Sequence, residues 1–175
     1  MTGSNGAAGS IEIRVDDLAF WEGEAIARPV NAMLGATTPI MRKLERAAGA
    51  TFADAVRPRE PLPVGAATVT NAGELQVELM IHGVVSSDDE PVTRDTVRLA
   101  LMSAMQRAVA FQIREVAIAP FGLGAGNLDI EDSAEVMLDV LTAHMRSASY
   151  PAHVVIIAET EFEEQMLRAR LRGAA

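Results

Sequence analysis

Three glycines at alternate positions, Gly122, Gly124 and Gly126, stand in the stretch Ala119-Pro120-Phe121-Gly122-Leu123-Gly124-Ala125-Gly126-Asn127. Glycine admits positive φ and, lacking a Cβ, lets backbone N–H groups come close to a bound group. An apolar run, Val116 to Ala119, precedes the glycines, and an amphipathic segment, Ile130 to Met145, follows them. Between a strand end and a helix start, such a loop offers converging amide donors and the positive end of a helix dipole. That combination suits phosphate. The same residues also fit a tight turn that holds nothing. A second bend runs from Asn31 through Leu34-Gly35-Ala36-Thr37-Thr38. Thr38 before Pro39 is a helix start: a hydroxyl at the N-cap, then proline where no amide partner is needed.

Side chains able to move protons or hold metals are sparse. His82 lies inside an apolar run and reads as a core histidine, while His144 and His153 have no second ligand at metal-binding spacing. No serine or threonine has an adjacent base that would make it a nucleophile. Asp129 and Asp132 read as an N-cap and an early helical carboxylate, and Asp88-Asp89-Glu90 as a solvated loop. Asp17, after the first strand, caps a turn or accepts a hydrogen bond from a ligand. Asn31 alone reads as a loop residue bonded to its own backbone.

The elements that must carry these residues alternate. Ile11–Val15 alternates apolar and polar as a half-buried strand does. Ala25–Val30 is a second strand, with Pro29 marking an edge or an exit. A helix follows Thr38, with Ile40, Leu44 and Ala47-Ala48 on one face, and Gly49 closes it. Residues 51–63, with three prolines, are a loop with a helical turn before Arg57. Gly65–Thr70 and Leu75–Val85 form a hairpin, and Val92–Phe111 is the longest helix. Glu115–Ala119, the Ile130–Met145 helix, the strand His153–Ala158 and a helix opened by the capping box at Thr160 and running to Arg170 complete the chain. The expected fold is α/β, a three-layer α/β/α sandwich whose central sheet is mixed because of the hairpin. Ligands in such sheets sit at strand C-termini, where both bends fall.

Composition narrows the classes of partner. With 175 residues, 49% hydrophobic and 22% charged, the expectation is one domain over 11–175 behind a leader at 1–10. The net charge of −9 opposes non-specific attraction to nucleic acid or an anionic membrane. No cysteine is present, so disulfide and thiolate chemistry are excluded. The small, polar start has no signal-peptide pattern, and no apolar run reaches spanning length, so a cytoplasmic location is expected.

Taken together, the two bends resemble those of the macrodomain family, ADP-ribose-binding modules of α/β/α architecture. The family's first motif runs from an Asp after strand one, through a D-A-I-V-N-A-A-N segment and a glycine-rich loop, to a helix ending in R-A-A-G. Asp17 to Gly49 lies on it without a gap: Glu24-Ala25-Ile26 on D-A-I, Asn31 on the second asparagine, Arg46-Ala47-Ala48-Gly49 on R-A-A-G. Pro63-Val64-Gly65 resembles the family's P-T-G turn, Met80-Ile81-His82 its V-I-H strand, and Gly122–Asn127 the G-T-G-x-G-G second phosphate loop. The likeness covers roughly residues 11–171.

The resemblance implies a ligand site made of Asp17, Leu18, Asn31, Gly35, Ala36, Thr37, Thr38, Gly122, Leu123, Gly124, Ala125 and Gly126. Asp17 would accept from the adenine amine, Asn31 would hold the distal ribose, and the backbone of both bends would cradle the diphosphate. No metal or cofactor is implied. The departures are specific. The family's first asparagine falls on Arg28, its first glycine-rich loop becomes Ala36-Thr37-Thr38-Pro39, and the aspartate of hydrolytic members falls on Met41. A thioether is no general base. Ala158-Glu159-Thr160 occupies the place of the aromatic that stacks on adenine, with Phe162 or Phe121 as substitutes. The expected function is therefore binding of ADP-ribose, an ADP-ribosylated molecule or a related nucleotide diphosphate without efficient hydrolysis. Two alternatives stand beside it. One is a divergent ADP-ribosyl hydrolase relying on Asn31. The other is a scaffold that has lost its ligand and serves homo-oligomerisation or partner docking through the Met-containing 92–111 helix.

Overall fold

A computed structural model describes residues 9–174; of the expected leader, positions 1–8 lie outside the described residues, and Ser10 already belongs to the first strand. Six strands form one sheet: β1 (Ser10–Val15), β2 (Gly23–Asn31), β3 (Ala67–Asn71), β4 (Val77–Ser86), β5 (Glu115–Ile118) and β6 (His153–Ala158). Their spatial order is β1-β6-β5-β2-β4-β3, and only the β3–β4 hairpin is antiparallel. The sheet is thus mixed for the reason its sequence suggests, and the C-termini of the five parallel strands share one edge.

Alternation along the buried strands splits the core in two. Val155 and Ile157 of β6, with Ile26, Met80 and Ala117, meet α1 (Pro39–Ala47) and α2 (Phe52–Val56) through Met41, Leu44 and Phe52. Val154 and Ile156, with Ile81, Val116 and Ile118, meet α3 (Arg94–Ala110), α4 (Ile130–Ser147) and α5 (Glu161–Ala174) through Val97, Leu101, Met105, Met137, Leu141 and Leu167. Continuous apolar runs are what a strand covered on both faces requires.

β2 lies between β5 and β4, so Pro29 does not mark an edge strand. The Ala27 carbonyl accepts from the Ala119 amide on the β5 side, 3.2 Å away. Pro29, two residues on, turns its nitrogen, which carries no hydrogen, the same way, past the last β5 partner of β2 at Ala27. Its missing donor breaks no ladder bond there.

The helix starts follow local chemistry. Thr38 accepts from the Met41 amide (3.3 Å) with Pro39 in the first turn, and Thr93 and Thr96 exchange bonds in a capping box at α3. Asp129 accepts from the Asp132 amide at α4, 2.8 Å. At α5 the Glu163 amide donates to Thr160 Oγ1 (3.2 Å), while the Glu163 carboxylate turns back to the Glu159 amide, 2.8 Å. Gly49 follows α1 with φ +125°, the left-handed geometry that ends a helix.

Candidate nucleotide cleft

The shared C-terminal edge opens into a cleft of about 490 Å³, within the range of small-ligand sites. Each wall comes from the end of an element. Asp16, Asp17 and Leu18 follow β1; Ala119 and Pro120 follow β5; Ile157 and Ala158 end β6, with Glu159 after them; Thr38, Pro39, Ile40, Met41 and Lys43 open α1; Leu123 and Gly124 belong to the glycine loop. Glu163 of α5 completes the lining.

The end near Asp17 is polar. One Asp17 oxygen, Oδ1, accepts from the Ala19 amide at 3.0 Å and caps the 3-10 turn Leu18–Phe20. The other, Oδ2, accepts from Lys43 Nζ at 2.7 Å. The bond from Lys43 holds the Asp17 carboxyl below the usual carboxylate range against the opposing effect of burial. Asp16, Glu159 and Glu163 add acidic groups here, with Lys43 as the cation in the lining. This end suits hydrogen-bond donors such as amines and hydroxyls.

Around Gly124 the lining is backbone of the two bends. A Cβ placed on Gly124 would lie 3.5 Å from both the Thr37 carbonyl oxygen and Thr38 Cγ2, so the two bends touch. Gly124 has φ +136° and Gly126 φ +77°, conformations that side chains avoid. The Asn127 and Leu128 amides fold back onto the Gly124 and Gly122 carbonyls, each 3.0 Å away. Among the described residues the amides of Leu123, Gly124, Ala125 and Gly126 donate to no protein acceptor. They remain available to an anion.

Of the residues singled out in the sequence, Asp17, Leu18, Thr38, Leu123 and Gly124 line this cleft together. Asn31, Gly35, Ala36, Thr37, Gly122, Ala125 and Gly126 do not line it. Asn31 Oδ1 accepts from the Met33 and Gly35 amides, both at 2.9 Å, so its carbonyl serves the bend itself. Gly122 is buried. Its absent Cβ would meet Val97 Cγ2 at 2.7 Å on the side away from the cleft, so its bareness serves packing against α3. Arg28 does not plug the cleft: it is wholly buried on the α1–α2 side, bonded to Glu45, His82 and Leu34. Met41 does line the cleft, 2% exposed. Sequence reasoning missed Lys43 as a lining residue. Its signal was spacing, because Lys43 lies four residues after Pro39 and so on the same face of α1.

A sequence model of the Macro domain family matches residues 27–137, well over half of the chain. The chain belongs to the macro domain family. An uncharacterized protein of Mycobacterium tuberculosis is 23% identical over 142 residues, covering 81% of this macro domain chain and 40% of the relative. An uncharacterized protein of Aeropyrum pernix is 25% identical over 154 residues, 86% of this chain and 79% of the relative. The chain thus spans about two fifths of the mycobacterial relatives' length. Among solved structures, the Oceanobacillus iheyensis macrodomain with ADP superposes with TM-score 0.85 at 17% identity, covering 97% of this chain and 94% of that one. The Trypanosoma brucei macrodomain in complex with ADP gives 0.80 at 13%, covering 92% and 68%. At such identities the likeness establishes the macro domain fold. No helix among the described residues is long and apolar enough to cross a membrane.

Proposed function

We propose that residues 10–174 form one macro domain of a cytoplasmic protein and bind ADP-ribose or a related nucleotide diphosphate without efficient hydrolysis. The observation that carries the reading is the division of the cleft. Its Asp17 end holds carboxylates, and its Gly124 end holds unpaired amides where the two bends meet. An adenine amine and ribose hydroxyls are donors and match the first end. A diphosphate accepts only and matches the second. Solved macrodomains in complex with ADP, and one with ADP-ribose, support the same assignment.

Met41 and Asn31 favour binding over turnover. The thioether at position 41 offers no base, and the Asn31 carbonyl is committed to two amides of its own bend. Calorimetric titration with ADP-ribose tests the assignment: saturable heat with one site per chain is expected. Absence of heat up to millimolar ligand refutes it. Release of ADP-ribose from a modified protein or from O-acetyl-ADP-ribose, over many turnovers per chain, refutes the non-hydrolytic part alone.

A further inference from the structure

Among the described residues Arg28 is the largest fully buried side chain, and each of its three guanidinium nitrogens has a partner. Nε donates to His82 Nδ1 of β4 at 3.0 Å, one terminal nitrogen to Glu45 Oε1 of α1 at 2.7 Å, and the other to the Leu34 carbonyl at 3.0 Å. Phe52 of α2 lies over it, ring centroid 5.8 Å from the guanidinium carbon. Because arginine can only donate, His82 Nδ1 is the unprotonated nitrogen, and Nε2 carries the hydrogen toward Thr70 Oγ1, 2.9 Å away. Thr70 in turn donates to the Asn71 carbonyl at 2.7 Å. Glu45 thus compensates the buried charge, while His82 and the Leu34 carbonyl accept from the other two nitrogens.

The Leu34 carbonyl is the informative partner. Leu34 has φ +60°, a left-handed conformation that branched side chains avoid. Such a residue persists only where its surroundings impose it. Here Arg28 holds its carbonyl from below, while Asn31 Oδ1 holds the next amide, Gly35, from the side. The pinned bend leads in three residues to Thr37 and Thr38, the part that touches Gly124.

We infer that Arg28 is a positioning residue for the diphosphate end: through Leu34 it fixes the first bend, and through Glu45 it ties that bend to α1, against the glycine loop. The idea rests on the nucleotide reading for its ligand, and on bond geometry alone for its structural part. Its guanidinium never reaches the cleft, so it acts through the bend. The effect is confined to one end of the site, since Asp17 and Lys43 are held by other bonds.

The test compares wild type with R28M, which keeps an apolar stem and removes every donor. In R28M, affinity for ADP-ribose is expected to fall roughly tenfold or more, while affinity for AMP, which lacks the distal phosphate and ribose, changes less than about twofold. Without ligand, the Leu34 and Gly35 amides are expected to exchange hydrogen at least roughly tenfold faster, with α4 protected as before. Unchanged exchange in the bend, or equal loss for both nucleotides, overturns the idea. If wild type binds neither nucleotide, the binding assignment falls and the exchange comparison alone decides the role of Arg28. If R28M does not fold, R28K serves, because it keeps a cation beside Glu45 but cannot hold three partners in one plane. It too must loosen the bend, and a bend as protected as wild type in R28K overturns the inference.

Discussion

Asp17→Ala separates what the carboxylate does for the fold from what it does for a ligand. In the folded chain Asp17 caps the 3-10 turn through the Ala19 amide and pairs with Lys43. Loss of a side-chain cap costs about 1 kcal/mol, within about 0.5–2. The ion pair adds little, because the two side chains are 30% and 52% exposed, and exposed pairs contribute about 0–1 kcal/mol. A loss of about 1–2 kcal/mol of stability is therefore expected, a melting shift of roughly 2–8 °C for a chain of this size. The ligand term is separate. A hydrogen bond to a charged group is worth about 1.5–3 kcal/mol, so affinity for ADP-ribose should fall roughly 10- to 150-fold. Asp17→Asn keeps an acceptor for Ala19 and should recover most of the stability but little of the affinity. Calorimetry at a temperature where each variant is folded, paired with thermal melts, reads both quantities. Wild-type affinity in Asp17→Ala would show that the Asp17 end does not contact the ligand and would refute the proposed orientation.

Gly124→Val places a branched side chain at φ +136° and against Thr37 and Thr38; ADP-ribose titration should show affinity lost by more than tenfold, about 1.4 kcal/mol, with helix content by circular dichroism unchanged. His82 gives a pH dependence. Burial, then the neighbouring Arg28 charge, press its pKa well below the ordinary value of 6.5. The unfolded chain therefore binds the proton more readily than the folded one. The stabilisation from neutral His82 is complete above pH ~6.5 and is lost progressively as pH falls below that value. Urea midpoints at pH 7.5, 6.0 and 5.0 should fall in that order, and a His82→Phe variant should show a shallower fall.

The layers were legible because burial on both faces leaves a plain mark: Val154 to Ile157 is apolar at every position, and the helices repeat at their own period. Local caps were equally plain, since Thr38-Pro39 and Thr160 act through neighbours in sequence. What was not legible depends on contacts distant along the chain. The expected role of Gly122 assumed that its backbone faces a ligand, but only the folded chain shows Val97 filling the space beside it. Pro29 read as an edge or an exit because the sequence does not show that β5 stops at Ile118, opposite Ala27 and short of Pro29. Arg28 read as a departure from a motif. Its three partners lie 6, 17 and 54 residues away, at Leu34, Glu45 and His82. No local pattern announces such a set.

The sign of the salt dependence discriminates between two ways of holding an anion. The chain carries a net charge of −9, and the cleft lining contains four carboxylates against Lys43. A dianionic diphosphate approaching this surface is repelled at long range, and salt screens that repulsion over about 10 Å at 0.1 M. Backbone amides are dipoles acting at contact, and added ions weaken them little. Neutralisation by the amides of Leu123 to Gly126 therefore predicts that ADP-ribose affinity stays level or rises as sodium chloride increases from low to physiological concentration. Neutralisation by Lys43 predicts the opposite, with affinity falling as the ammonium is screened. Lys43→Gln sharpens the contrast. Under the amide account it removes the partner of Asp17 and leaves the salt slope level or rising, whereas under the lysine account it abolishes a falling slope. Titrations of both proteins at four ionic strengths suffice, and a wild-type affinity that declines steeply with salt would refute the claim that unpaired peptide nitrogens carry the phosphate.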